Sequence, residues 1–74
     1  VSHAKKKVLD IILDEIKTNK EEFCFYSSDI FPDYKNIQEI EGSWDLLKKS
    51  LEDEGFQITQ FRKDDEEFWF DLSL

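Results

Sequence analysis

The chain has 74 residues, a formal net charge of −8, 39% hydrophobic residues and 15% aromatic residues. This length admits one small domain, and the aromatic content excludes an acidic disordered chain, which cannot build a core. The single Cys excludes an internal disulfide and predicts a reducing, intracellular (cytoplasmic) setting; no apolar run approaches the roughly 20 residues of a membrane span, and Asp10 cuts short any signal-peptide core after Lys5-Lys6-Lys7.

The sequence contains no Met, so either a processed chain or a domain cut from a larger one is expected. The opening Val1-Ser2-His3 is given no functional role. Residues 1–20 hold five Lys against Asp10, Asp14 and Glu15, a balance of +2; residues 21–74 hold five basic against fifteen acidic residues, a balance of −10. Such a field repels nucleic acid and anionic membranes and attracts basic surfaces. Two readings of the acidity stand side by side, general solubility and a functional acidic face.

Val8, Leu9, Ile12, Leu13 and Ile16 fall on one stripe at i, i+3/i+4 spacing and predict a helix over 4–19, with Ile11 off the stripe. Phe23-Cys24-Phe25-Tyr26 predicts a short strand. Ser27 or Ser28 is placed to cap a second helix, which must be short because Pro32 disfavours helical geometry at Phe31. Over 32–41, Tyr34, Ile37 and Ile40 permit a turn or two. Ser43 is expected to cap a third helix over 44–54, with Trp44, Leu47 and Leu51 buried and Gly55 as a left-handed terminator. Residues 56–61 and 67–73 predict a β-hairpin. A three-residue loop, Lys63-Asp64-Asp65, pairs Ile58 with Phe70 and Phe56 with Leu72, and this register is preferred because a one-residue slip inverts every side chain.

The expected class is α+β, three helices with a C-terminal antiparallel β-hairpin. That order of elements resembles the winged-helix arrangement, a helix-turn-helix variant with a hairpin wing. The resemblance covers nearly the whole chain and rests on order and caps, not on a sequence motif. It implies nucleic-acid binding through the third helix, yet Asp45, Lys48, Lys49, Glu52 and Asp53 make a poor phosphate-contacting face. Lys5, Lys6 and Lys7 are the best basic footprint if nucleic acid is bound at all.

Other chemistry finds little support. One His and one Cys cannot make a structural zinc site. The run Asp64-Asp65-Glu66-Glu67 lacks the ligand spacing and glycine of a calcium loop. There is no Gly-rich phosphate loop, so no cofactor is expected, and Cys24 has only the terminal His3 as a base. The chain therefore reads as a non-catalytic protein-interaction module.

The preferred register puts Phe61 and Trp69 on the outer face of the hairpin, rimmed by Asp64, Asp65, Glu66, Glu67 and Asp71, an aromatic centre with an acidic edge. Three alternatives apply to that face: it meets a basic partner, it is covered by the first helix or residues 32–41, or it makes a homodimer contact. The concrete form of the first is an inhibitor or DNA mimic of a nucleic-acid-binding protein, as small acidic inhibitors and phage-type host-takeover proteins look. The alternative function is a winged-helix DNA-binding domain of a regulator.

Overall fold

Ala4, Val8 and Ile12 recur every fourth residue, which turns one face of the first helix inward. The structure is a computed structural model that describes residues 2–74, of Ser2 the backbone alone; Val1, part of the opening given no role, lies outside the described residues. Helix α1 covers Ser2–Glu15 and tightens into a 3-10 turn at Ile16–Thr18, which Asn19 ends in the left-handed conformation at φ 62°. The buried stripe differs from the expected one. Leu13 and Ile16 are exposed, at 64% and 46%, and Leu9 is half-buried. Ile11, off the expected stripe, packs against the core as Leu9 does. Successive residues are turned by about 100°, so a contact line through Ala4, Val8 and Ile12 brings Ile11 along and rotates Leu13 away.

Strand β1, Glu22–Tyr26, buries Phe23 and Phe25 and exposes Glu22, Cys24 and Tyr26. Helix α2, Ser27–Ile30, is a single turn. Phe31 leaves helical geometry at φ −124° and ψ 70°, as a residue before proline should. Asn36 then accepts the Gln38 N–H at 3.0 Å and starts a 3-10 turn at Ile37–Ile40. This turn runs straight into α3, Glu41–Asp53. Ser43 is therefore inside the first turn of α3 and does not cap it. The Glu41 N–H already bonds the Gln38 carbonyl of the preceding turn, so the helix begins without a hydroxyl cap. Gly55 ends α3 as expected, at φ 99°. Its N–H bonds the Glu52 carbonyl, and the Phe56 N–H bonds the Leu51 carbonyl, the paired reverse bonds of a glycine-terminated helix.

Strands β2, Gln57–Lys63, and β3, Phe68–Ser73, form the antiparallel C-terminal hairpin, and β1 adds to the other side of β3 in the order β1-β3-β2. The class is α+β, three helices and a three-stranded antiparallel sheet. The order of helices and strands is the one read from the sequence.

The hairpin register differs from the expected one. Lys63 pairs with Phe68, Arg62 with Trp69 and Phe61 with Phe70, around a four-residue loop closed by the Asp64 N–H on the Glu67 carbonyl at 3.0 Å. Beyond an extra residue, Thr59, the pairing continues as Ile58 with Leu72. Ile58 and Phe61 are three positions apart and cannot share a face of a regular strand. The bulge at Thr59 lets both turn inward, which buries more apolar surface than the regular ladder would. Helices and sheet enclose one core around Val8, Trp44, Leu47, Leu51, Phe70 and Leu72, all fully buried. The Trp44 ring lies 5.2 Å from Phe70 and 6.4 Å from Phe68, centroid to centroid. Among the described residues, no helix is long and apolar enough to cross a membrane.

Candidate functional site

A strand's alternation gives the sheet two chemically distinct faces. The inner face carries the core residues of β1, β2 and β3. The outer face carries three cross-strand rows fixed by the register: Tyr26, Trp69 and Arg62; Cys24, Asp71 and Gln60; Glu22, Ser73 and Gln57. Of these, Trp69, Asp71 and Ser73 on the central strand are half-buried and the flanking residues are exposed. The apolar residues of α1 and of 32–41 that are buried all belong to the core on the other side, so neither segment covers the outer face.

The structure places one of the two expected aromatics on the outer face. Trp69 is on the outer face, joined by Tyr26 at 43% exposure, a neighbour that only the β1–β3 pairing reveals. Phe61 is not there. It faces inward opposite Phe70, half-buried against the core, with the Lys48 ammonium 5.5 Å and the Lys63 ammonium 5.8 Å from its ring centroid. The bulge and the four-residue loop are the cause. They also replace the expected pairs of Ile58 with Phe70 and of Phe56 with Leu72.

The acidic rim divides in two. Asp64, Asp65 and Glu66 are exposed at the hairpin tip. Glu67 is tied inward: its carboxylate accepts the Ser28 hydroxyl at 2.6 Å and the Ser28 N–H at 3.3 Å. A carboxylate there satisfies the start of α2 from across the fold. Beside it, the fully buried Ser27 hydroxyl accepts the Phe68 N–H at 3.0 Å and bonds the Tyr34 hydroxyl at 3.2 Å. The two serines expected to cap α2 thus hold the base of the hairpin. Asp71 lies at the centre of the outer face beside Cys24. Although Cys24 is exposed overall, partial burial of its thiol raises its pKa, and a hydrogen bond to the Asp71 carboxylate raises it further. Tyr26 is raised too, first by its hydrogen bond to Cys24. A thiol held protonated is a poor nucleophile.

Four of the ten basic residues, Lys5, Lys20, Lys48 and Lys63, form ion pairs among the described residues. Lys5 pairs with Glu54 at 2.6 Å, whereas Lys6 and Lys7 are exposed. Lys48 pairs with Glu52 at 3.0 Å, and Lys63 with Asp45 at 2.7 Å. The outward face of α3 is left with Asp45, Leu46, Lys49, Glu52 and Asp53, Leu46 being 55% exposed. Among the described residues, no group of three or more His, Cys, Asp or Glu side chains is arranged to hold a metal ion. Comparison of the chain with protein families, with curated proteins and with solved structures found no match.

Proposed function

We propose that this chain is a non-catalytic interaction module, working in an intracellular setting, that meets a basic protein surface with the outer face of its sheet. The observation that carries the reading is the uncovered row of Tyr26, Trp69 and Arg62 beside Asp71, with Glu22 one row further along the sheet. Large aromatic residues supply most of the binding energy at protein interfaces, and carboxylates around them steer a basic partner into place. The net charge of −8 adds long-range attraction. One form of this function is inhibition of a nucleic-acid-binding protein by a surface that imitates phosphates, with Asp64, Asp65, Glu66 and Asp71 as the mimicking charges.

Direct DNA binding has less support. Lys48 and Lys63 are committed to carboxylates and to the Phe61 ring, and the α3 face that would enter a groove is acidic with an exposed Leu46. Labelled duplex at low salt should bind no tighter than about 10⁻⁴ M, the weak end of non-specific affinity.

The reading is tested by affinity capture from a native lysate with the wild type, with Trp69→Ala, and with Asp64, Asp65 and Glu66 all changed to Lys. Trp69→Ala should weaken capture of the partner by about 2 kcal/mol or more, the cost of truncating a hot spot. The charge-reversed variant should lose the salt dependence of capture. A capture profile that both variants leave unchanged would sink the proposal.

A further inference from the structure

A sheet with strand order β1-β3-β2 has two edges, and this one protects them unequally. The β2 edge carries the bulge at Thr59 and places Lys63 beside α3, where it bonds Asp45. Bulges and edge lysines are the ordinary means of blocking strand pairing. The β1 edge has no bulge and no proline: five residues pair with β3 without a register shift, and the lysine at its approach, Lys20, is paired with Glu15 at 3.2 Å and lies over the Phe23 ring.

The hydrogen-bond alternation fixes which groups that edge offers. Leu74 donates its N–H to the Glu21 carbonyl at 2.9 Å. In an antiparallel ladder the bonded pairs alternate, so Phe23–Leu72 and Phe25–Phe70 are the next bonded pairs. The N–H and C=O groups of Glu22 and Cys24 therefore point away from β3, into the open side of the strand. Two clefts flank that side. One, of about 420 Å³, lies on the outer face and is lined by Lys20, Glu22, Cys24, Thr59 and Asp71, two acids against one lysine that Glu15 already pairs. The other, of about 390 Å³, lies between α1 and β1 and is lined by Ile11, Phe23 and Phe25 together with the charged Lys7, Glu15, Lys20 and Asp29.

We infer that the β1 edge accepts an extended segment of the partner as a fourth strand, and that this segment alternates basic and aliphatic residues. The inference rests on the protein-binding function proposed above and specifies how the contact is made. Main-chain bonds to Glu22 and Cys24 supply the pairing. Alternate side chains of an added strand project to opposite faces. Those on the outer face lie next to Glu22 and Cys24 with Asp71 behind them, which selects Lys or Arg. Those on the other face enter the cleft lined by Ile11, Phe23 and Phe25, whose two lysines and two acids balance in charge, and the apolar part of that lining favours Val or Ile. An acidic segment would set its carboxylates against Glu22 and Asp71.

The test uses the isotope-labelled chain and a synthetic peptide that alternates Lys or Arg with Val. On addition of the peptide, hydrogen exchange at the Glu22 and Cys24 amides should slow by about tenfold, and Cys24→Pro should weaken the peptide by at least about fivefold, the effect of one lost hydrogen bond. Proline is tolerated at an edge position whose N–H faces outward, and the wild-type exchange result stands even if that variant folds poorly. A peptide with Glu in place of the basic residues should not protect these amides; equal protection would overturn the inference. Shifts confined to Trp69, Arg62 and Asp71, with no protection along β1, would overturn strand addition and leave the face-binding function standing. Protection of β1 that rises with protein concentration in the absence of peptide would assign the edge to a second copy and also overturn it. No response to the peptide at any residue overturns the inference, while the lysate capture with Trp69→Ala decides the function separately.

Discussion

Ser27 shows how much one hydroxyl can organise in a domain this small. It is fully buried, receives the Phe68 N–H at the start of β3, and bonds Tyr34 from the irregular stretch before α3. Three segments converge on it. Ser27→Ala would leave a buried N–H and a partly buried phenol without their partner, at a cost of about 1–3 kcal/mol. Chemical denaturation should show that loss, and a change within a few tenths of a kcal/mol would mean that the convergence carries no stability. Cys24 makes the opposite point, since it is accessible but disfavoured as a thiolate. Partial burial first, and Asp71 second, raise its pKa. A maleimide at neutral pH should therefore label Cys24 more slowly than free cysteine, and Asp71→Asn should speed the labelling. A raised folded-state pKa means that the thiol stabilises the fold below its unfolded pKa, and that this contribution disappears as pH rises through the folded value. Labelling faster than free cysteine would instead indicate an activated nucleophile and reopen a catalytic role.

Among the elements, α1 carries the sharpest contrast between pattern and packing. Ile12 is buried and Leu13 is 64% exposed, although both are aliphatic neighbours in the expected stripe. Ile12→Ala should cost about 2–5 kcal/mol through lost burial and a residual cavity, and Leu13→Lys should fall within about 0.5 kcal/mol of the wild type. Equal costs in denaturant melts would show that the helix seats on a different face. The existence and order of the helices and strands were legible in the sequence, as was the Gly55 terminator, because periodicity and left-handed glycine are local signals. What was not legible depends on contacts distant in sequence. The pairing of β1 with β3 brings Tyr26 to Trp69 across more than forty residues. The hairpin register turned on whether Ile58 and Phe61 could both be buried, and a regular ladder allows only one of them. A bulge leaves no mark in the local pattern, so the sequence alone puts Phe61 on the outer face. The acids of the hairpin tip were visible in the sequence; that Glu67 is bound to Ser28 was not, since its partner belongs to another element.

For the molecule as a whole, the distribution of charge sets a competition between attraction and self-repulsion. Residues 21–74 carry fifteen acids against five bases. Among the described residues the ion pairs join Lys5 to Glu54, Lys20 to Glu15, Lys48 to Glu52, and Lys63 to Asp45 and Glu41. All of these lie at the surface, where each pair contributes about 0–1 kcal/mol. Three exposed carboxylates, Asp64, Asp65 and Glu66, follow one another at the hairpin tip with no pairing cation among the described residues. Repulsion among the excess acids should therefore outweigh the pairs. Raising NaCl from about 0.02 M to about 0.5 M shortens the screening length from roughly 20 Å to roughly 4 Å. The thermal midpoint should rise over that range, and Asp64→Lys combined with Asp65→Lys should raise it at low salt and remove part of its salt dependence. The same salt should weaken capture of a basic partner, because screening acts on both fields. Opposite responses of stability and binding to one variable would mark the acidity as selected for a partner at the expense of the fold. A midpoint that falls with salt would place the ion pairs above the repulsion and contradict this account.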